Sequence, residues 1–152
     1  MLRRSVPIKK RKIGLLELVS IPEWNLYNVR AKIDTGAFTS SIDVSRVVLL
    51  PSETGRPPRA QVFFGTGAER HAVITPVVGF RRVRNPSGNV TTRPIVEAKI
   101  CLGGRRFRTT INLHHREGMT YRMIIGRKAL FGRFVVDVDR RKRRRWKRME
   151  AK

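Results

Sequence analysis

The stretch that most constrains how this chain can fold is a long hairpin. His71–Arg84 and Val90–Leu102 are both rich in β-branched and apolar residues, and between them stands Asn85-Pro86-Ser87-Gly88-Asn89, a run that favours chain reversal at almost every position. Two strands of this length need a further apolar surface to pack on. The rest of the chain supplies it as short strands. Residues 13–21, closed by Pro22, read as one strand, and Leu26–Ile33 as the next. Further runs fall at 47–50, 61–64, 105–113, 121–125 and 134–138, separated by Gly65-Thr66-Gly67, by Gly103-Gly104 and by the loop 51–59 with Pro57-Pro58. Pro76 or Gly79 should bend the first hairpin strand. In residues 105–113, Phe107, Thr109 and Ile111 share a face. Only residues 126–130 read as helix, a turn or two. Many short strands spaced by turn residues predict a mainly β, closed or strongly curved structure with one short helix near the C-terminus.

Strand Leu26–Ile33 delivers Asp34-Thr35-Gly36. The alternation in Val29-Arg30-Ala31-Lys32-Ile33 places a carboxylate at the end of a half-buried strand. Thr35 can hold the loop by bonding neighbouring backbone, and Gly36 permits close backbone approach to a reacting group. A rigid, partly dry carboxylate suits acid–base chemistry, whereas on the tripeptide alone a structural turn is the favoured reading. A second segment, Met123-Ile124-Ile125-Gly126-Arg127-Lys128-Ala129-Leu130, runs from an apolar strand through glycine and arginine into the short helix.

Together these segments resemble the retropepsin-like aspartic proteases, in which an apolar strand enters Asp-Thr-Gly-Ala, here Ile33 followed by Asp34 to Ala37, and an apolar-apolar-Gly-Arg segment packs beside the active-site loop. The similarity extends to a narrower bacterial family named as ATP-dependent zinc proteases, through Thr39-Ser40-Ser41, Arg93-Pro94-Ile95-Val96, Leu102-Gly103-Gly104 and the stretch from Met119 to Asp137. The resemblance implies a closed retropepsin-like barrel with the 71–102 hairpin as a flap, and Asp34, Thr35 and Gly36 as the catalytic loop. With a single Asp-Thr-Gly, an aspartic mechanism requires a homodimer in which two Asp34 carboxylates share a proton, one activating water and the other polarising the scissile carbonyl. Some members of the narrower family are linked to a ligase that adds glutamates to a ribosomal protein, which would imply a hydrolase of poly-α-glutamate. Ala37, Arg81, Arg82, Arg84, Arg93 and Arg127 are the substrate-binding candidates, since guanidinium forks bind carboxylates bidentately. For any single flap arginine a solvated basic strand is an equal explanation. By the two-residue period, Arg82 and Arg84 share a face and Arg81 takes the other.

The sequence departs from the retropepsin pattern at Phe38, where many retropepsins hold an acid that pairs with the arginine matching Arg127. Arg127 is therefore expected to find another partner, such as Asp137 or Asp43. The narrower family usually has arginine at the position of Phe38, so a substrate contact made there is lost or altered.

The chain of 152 residues suits one domain, taken as 13–139 between a basic arm, 1–12, expected to lack fixed structure, and a basic tail, 140–152. The formal net charge is +23, and removing both ends still leaves the body at about +10. Such a field attracts polyanions, whether RNA, a ribosomal surface or an acidic peptide. In the tail, Arg143, Arg144, Arg145 and Trp146 combine charge with a stacking ring and are the nucleic-acid-binding candidates. With neither a long apolar run nor an apolar leader, the expectation is a cytoplasmic protein with no membrane partner.

Cys101 is the one cysteine and reads as a core thiol. His71, His114 and His115 form no His-Glu-x-x-His pattern, and Gly65-Thr66-Gly67 lacks the lysine of a phosphate-binding loop, so no metal and no cofactor are expected. Two other readings stand beside the aspartic peptidase. One is a non-catalytic RNA- or ribosome-binding module on the same fold, the other a zinc-dependent hydrolase.

Overall fold

The structure, a computed structural model, describes residues 9–115 and 120–140. Eleven strands and one helix follow in chain order: β1 (Arg11–Ile13), β2 (Leu16–Ile21), β3 (Leu26–Ile33), β4 (Ser40–Asp43), β5 (Arg46–Leu49), β6 (Arg59–Phe64), β7 (His71–Arg84), β8 (Val90–Leu102), β9 (Arg105–His114), β10 (Met123–Ile125), α1 (Arg127–Leu130) and β11 (Phe134–Val136). The chain is mainly β, with a closed barrel of six strands in the order β2-β3-β10-β4-β9-β8, closed by pairing of β2 with β8.

Closure depends on a local irregularity in β2. Val19 and Ile21 both pair with β3, but the register shifts between them, and Ser20 turns instead to Cys101 of β8. The Ser20 hydroxyl accepts the Asn28 N–H at 2.9 Å, satisfying the backbone that the bulge displaces. Opposite, the β8–β9 hairpin turns on Gly103 and Gly104, both at positive φ (56° and 77°), the geometry that a two-residue reversal favours. A side chain on Gly103 would lie 2.8 Å from Ile13 and 2.9 Å from Phe134, so the turn packs down on β1 and β11.

From β8 the sheet continues outward as β7-β6-β5. β7 serves two neighbours: His71 to Pro76 pair with β6, and Val77 to Arg84 pair with β8. The expected bend is a register shift between Val77 and Gly79, and beyond it β7 and β8 form the hairpin expected to serve as a flap. The apolar core runs through both parts. Val19, Val29, Ala31, Ile33, Ile42, Val96, Ile111, Met123 and Ile125 fill the barrel, and Ala60, Val62, Phe64 and Trp24 join it to the extension, with Trp24 stacked on Phe64 at 5.7 Å.

Two expectations change at the N-terminal end. Arg11 and Lys12 belong to a strand, not to a structureless arm, because β1 pairs in parallel with β11 and Arg11 reaches the carbonyl of Gly104 at 2.8 Å. Residues 13–21 do not form one strand either. The Gly14 N–H bonds the buried carboxylate of Glu17 at 2.7 Å, which folds the chain between β1 and β2. The basic arm's first eight residues and the tail from residue 141, with Arg143, Arg144, Arg145 and Trp146, lie outside the described residues. Among the described residues no helix is long and apolar enough to cross a membrane.

Candidate active site

Asp34 leaves the end of β3 between two strands, because β10 lies parallel to β3 and antiparallel to β4. The Asp34 N–H donates to the Ile125 carbonyl at 2.9 Å, and the Ala37 N–H closes the turn on the Asp34 carbonyl at 3.2 Å. The Gly36 N–H donates to Asp34 Oδ1 at 3.0 Å. The other carboxylate oxygen takes no hydrogen bond from the described residues. Asp34 is half-buried, while Thr35 and Gly36 are exposed. One oxygen is thus fixed by backbone.

The segment after β10 is laced to this loop. Arg127 N–H donates to Ala37 O at 2.8 Å, Lys128 N–H to Phe38 O at 2.9 Å, and Gly126 N–H to the buried Ser40 hydroxyl at 3.1 Å. A Cβ on Gly126 would lie 2.6 Å from the Thr39 carbonyl oxygen and 2.8 Å from that of Phe38, so only glycine lets the two backbones approach this closely. That contact is why an apolar strand here ends in Gly-Arg.

Arg127 does not pair with Asp137 or Asp43. Its Nη1 donates to the Thr35 carbonyl at 2.9 Å, and its guanidinium lies 5.8 Å from the centroid of the Phe38 ring. The ring occupies the place of the expected acid and gives the cation a π face in exchange for a carboxylate.

The flap enters through Arg81. Its guanidinium donates to the Thr39 hydroxyl, which also accepts a bond from Asn112 Nδ2 at 2.9 Å. Arg93 lies directly across from Arg81, so the two arginines share one face of the hairpin, and the pleat turns Arg82 and Arg84 to the other. Of the four flap arginines, the structure brings Arg81 to the Asp34 loop, puts Arg93 beside it, and points Arg82 and Arg84 away. Thr39 as the partner of Arg81, and Asn112 as the second donor to that hydroxyl, were missed from sequence. A signal existed, since Asn112 is a polar residue within Ile111-Asn112-Leu113 and is only 3% exposed.

The remaining candidates have structural partners. His71 Nε2 lies 3.0 Å from the Trp24 carbonyl with its ring against Phe64, and His115 Nδ1 lies 2.9 Å from the Val44 carbonyl. Among the described residues no three His, Cys, Asp or Glu side chains gather as a metal site. Cys101 is a buried thiol whose pKa burial pushes up, against the lowering pull of Arg106 and Lys99.

This laced Asp-Thr-Gly and Gly-Arg arrangement coincides with a match over residues 12–147 to the family model RimB-like, described as the retropepsin-like aspartic endopeptidase RimB. The chain belongs to this family. It is 33% identical over 134 residues to a protein of Parasynechococcus marenigrum called "Probable alpha-L-glutamate ligase", covering 86% of this chain and 28% of that one. A protein of the same name from Desulfotalea psychrophila is 29% identical over 136 residues, covering 88% and 29%. The chain therefore spans less than a third of the length of these relatives. A Legionella pneumophila protein of unknown function has a similar crystal structure, with a TM-score of 0.71, 25% identity, and coverage of 86% of this chain and 95% of that chain. The family and the barrel agree on a retropepsin-like fold.

Proposed function

We propose that the protein is an aspartic endopeptidase that acts as a homodimer on acidic peptides, most concretely on poly-α-glutamate. The observation that carries this reading is the Asp34 loop. Its carboxylate has one oxygen held by the Gly36 N–H and its backbone tied to Ile125, and the Gly126-Arg127 segment braces the loop at Ala37 and Thr35. A preorganised carboxylate of this kind activates water when a second carboxylate shares its proton. One chain supplies one Asp34, so the second comes from a copy related by a two-fold axis.

Acidic substrate follows from charge. Arg81 and Arg93 share the flap face that meets the loop, and the chain as a whole carries +23. Like charges directly across a strand pair cost stability, and a substrate carboxylate between them offsets that cost. The relatives named as α-L-glutamate ligases carry a segment similar to this chain, which suits a polymer of glutamate as the material that one activity extends and the other cuts. No step in this mechanism uses a metal.

The test is digestion of a synthetic poly-α-glutamate peptide followed by mass spectrometry. Cleavage that disappears in Asp34→Asn and survives a chelator is the expected result. Cleavage that survives in Asp34→Asn, or that stops on chelation and returns with zinc, rejects the aspartic mechanism.

A further inference from the structure

Outside the barrel, on the β5-β6-β7 extension, a second cluster of arginines has no role in the site just described. Along β6, Val62 and Phe64 are buried, so the pleat turns Phe63 to the outer face. Arg46 of β5 lies directly across from Phe63, and Arg70 arrives from the turn before β7. Their guanidiniums stand 5.9 Å and 4.8 Å from the centroid of that one ring. Beside them lies an open surface depression of about 410 Å³ lined by Ser45, Arg46, Gly65, Thr66, Gly67 and Arg70. That volume lies within the range of pockets that hold small ligands.

Among the described residues neither Arg46 nor Arg70 takes part in an ion pair, unlike Arg56 with Glu53 and Arg108 with Glu97. Glu69, the neighbouring acid in the turn, pairs with neither arginine. Ser45 is occupied, since its N–H and its hydroxyl both donate to the Phe63 carbonyl, at 2.8 Å and 2.9 Å. Two cations held against one ring repel each other, and an oxyanion bound between their N–H edges relieves that repulsion.

The ring also narrows the class of ligand. A single-stranded nucleic acid needs an aromatic face on which a base can stack. Phe63 is half-buried, and its ring is attended by two guanidiniums. What remains to be recognised is the oxyanion itself; a guanidinium fork fits carboxylate and phosphate alike, and the acidic-peptide reading of the Asp34 site selects the carboxylate.

We propose that Arg46 and Arg70 form an anchoring site outside the barrel for the carboxylates of an acidic peptide. It holds a part of the substrate chain distant from the bond being cut. The inference rests on the acidic-substrate reading, and it predicts that long acidic chains bind better than short ones for a reason separate from Asp34.

The experiment uses the full chain and the double variant Arg46→Gln/Arg70→Gln, with a long poly-α-glutamate peptide and tri-α-glutamate as probes. Binding is measured by calorimetry in the Asp34→Asn background, and kcat and KM in the otherwise wild-type background. The expected result is an affinity for the long peptide about five- to tenfold weaker at low salt, with KM raised to match and kcat kept. Tri-α-glutamate should lose little. Arg46→Lys/Arg70→Lys, which keeps charge but not the fork, should fall between, and unchanged thermal unfolding would show that the variants fold. Cleavage with identical long-peptide affinity in the double variant overturns this inference and leaves the peptidase reading standing. Lost affinity in the double variant, with no cleavage by the wild type, keeps the anchoring site and removes the peptidase reading. Tighter binding of a single-stranded RNA of equal charge through the same two arginines overturns the commitment to peptide.

Discussion

The guanidinium of Arg127 lies 5.8 Å from the centre of the Phe38 ring while its Nη1 holds the Thr35 carbonyl at 2.9 Å. Phe38 is 58% exposed, so its ring face is accessible to the guanidinium. The ring gives the arginine that braces the Asp34 loop a second contact.

Replacing the ring therefore weakens the brace without abolishing it. Phe38→Ala should lower stability by about 0.5–1 kcal/mol, the worth of an exposed cation–π contact. Arg127→Ala also removes the bond to Thr35 and should cost about 1–3 kcal/mol. Phe38→Asp, which offers a carboxylate to the same guanidinium, should recover what Phe38→Ala loses. Urea unfolding of the three variants checks the order, and Phe38→Asp falling below Phe38→Ala would contradict it.

Gly126→Ala tests the close approach of the two loops. The new methyl meets backbone oxygens of Thr39 and Phe38, which cannot swing aside as a flexible side chain can. The expected cost is about 1–3 kcal/mol, typical of overpacking, together with a fall in kcat from displacement of Asp34. An unchanged melting temperature and rate would show that the loops have slack.

Thr39 links the flap to the core, because its hydroxyl accepts from both Arg81 and the buried Asn112. Thr39→Val strands the Asn112 amide and should cost about 1–3 kcal/mol. Arg81→Gln removes only an exposed partner and should leave stability nearly unchanged, while raising KM for acidic peptides. Thermal unfolding and steady-state kinetics of the two variants separate the effects, and equal destabilisation would contradict this division.

Cys101 gives a pH dependence with a definite sign. Burial raises the folded thiol above its ordinary value of 9.0, outweighing Arg106 and Lys99. The unfolded chain then releases the proton first, so alkali favours unfolding. Its contribution is fully present below about pH 9 and is lost as pH rises through the folded value. Cys101→Ala should therefore flatten the loss of stability as pH rises above about 9, the thiol's ordinary value. Native protein should also alkylate slowly at pH 8, and rapid labelling would contradict the burial.

Much of this was legible because it depends on local chemistry. Strands β3, β7 and β8 are set by alternation and by turn residues, and the structure has the bounds that the sequence gives them. The Asp34 loop and its Gly-Arg neighbour were readable through their resemblance to the retropepsin pattern, and the structure gives a physical reason for the glycine, the close backbone contact at Gly126. What the sequence hid depends on contacts made late in the fold. β1 is a strand only because β11, far along the chain, lies beside it. Arg127 turned to Phe38 rather than to an acid because the barrel brings the ring to it, and no spacing rule encodes that. The facing of Arg81 toward Thr39 likewise needs the strand register, not only the two-residue period.

In the proposed mechanism two Asp34 carboxylates, one from each of two chains, make one catalytic site. The most direct test is to co-refold a fixed amount of wild-type chain with increasing Asp34→Asn chain and measure cleavage of a poly-α-glutamate peptide. Activity should fall toward zero as the variant takes up wild-type chains in inactive pairs. Activity that stays constant whatever the excess of Asp34→Asn would contradict the mechanism.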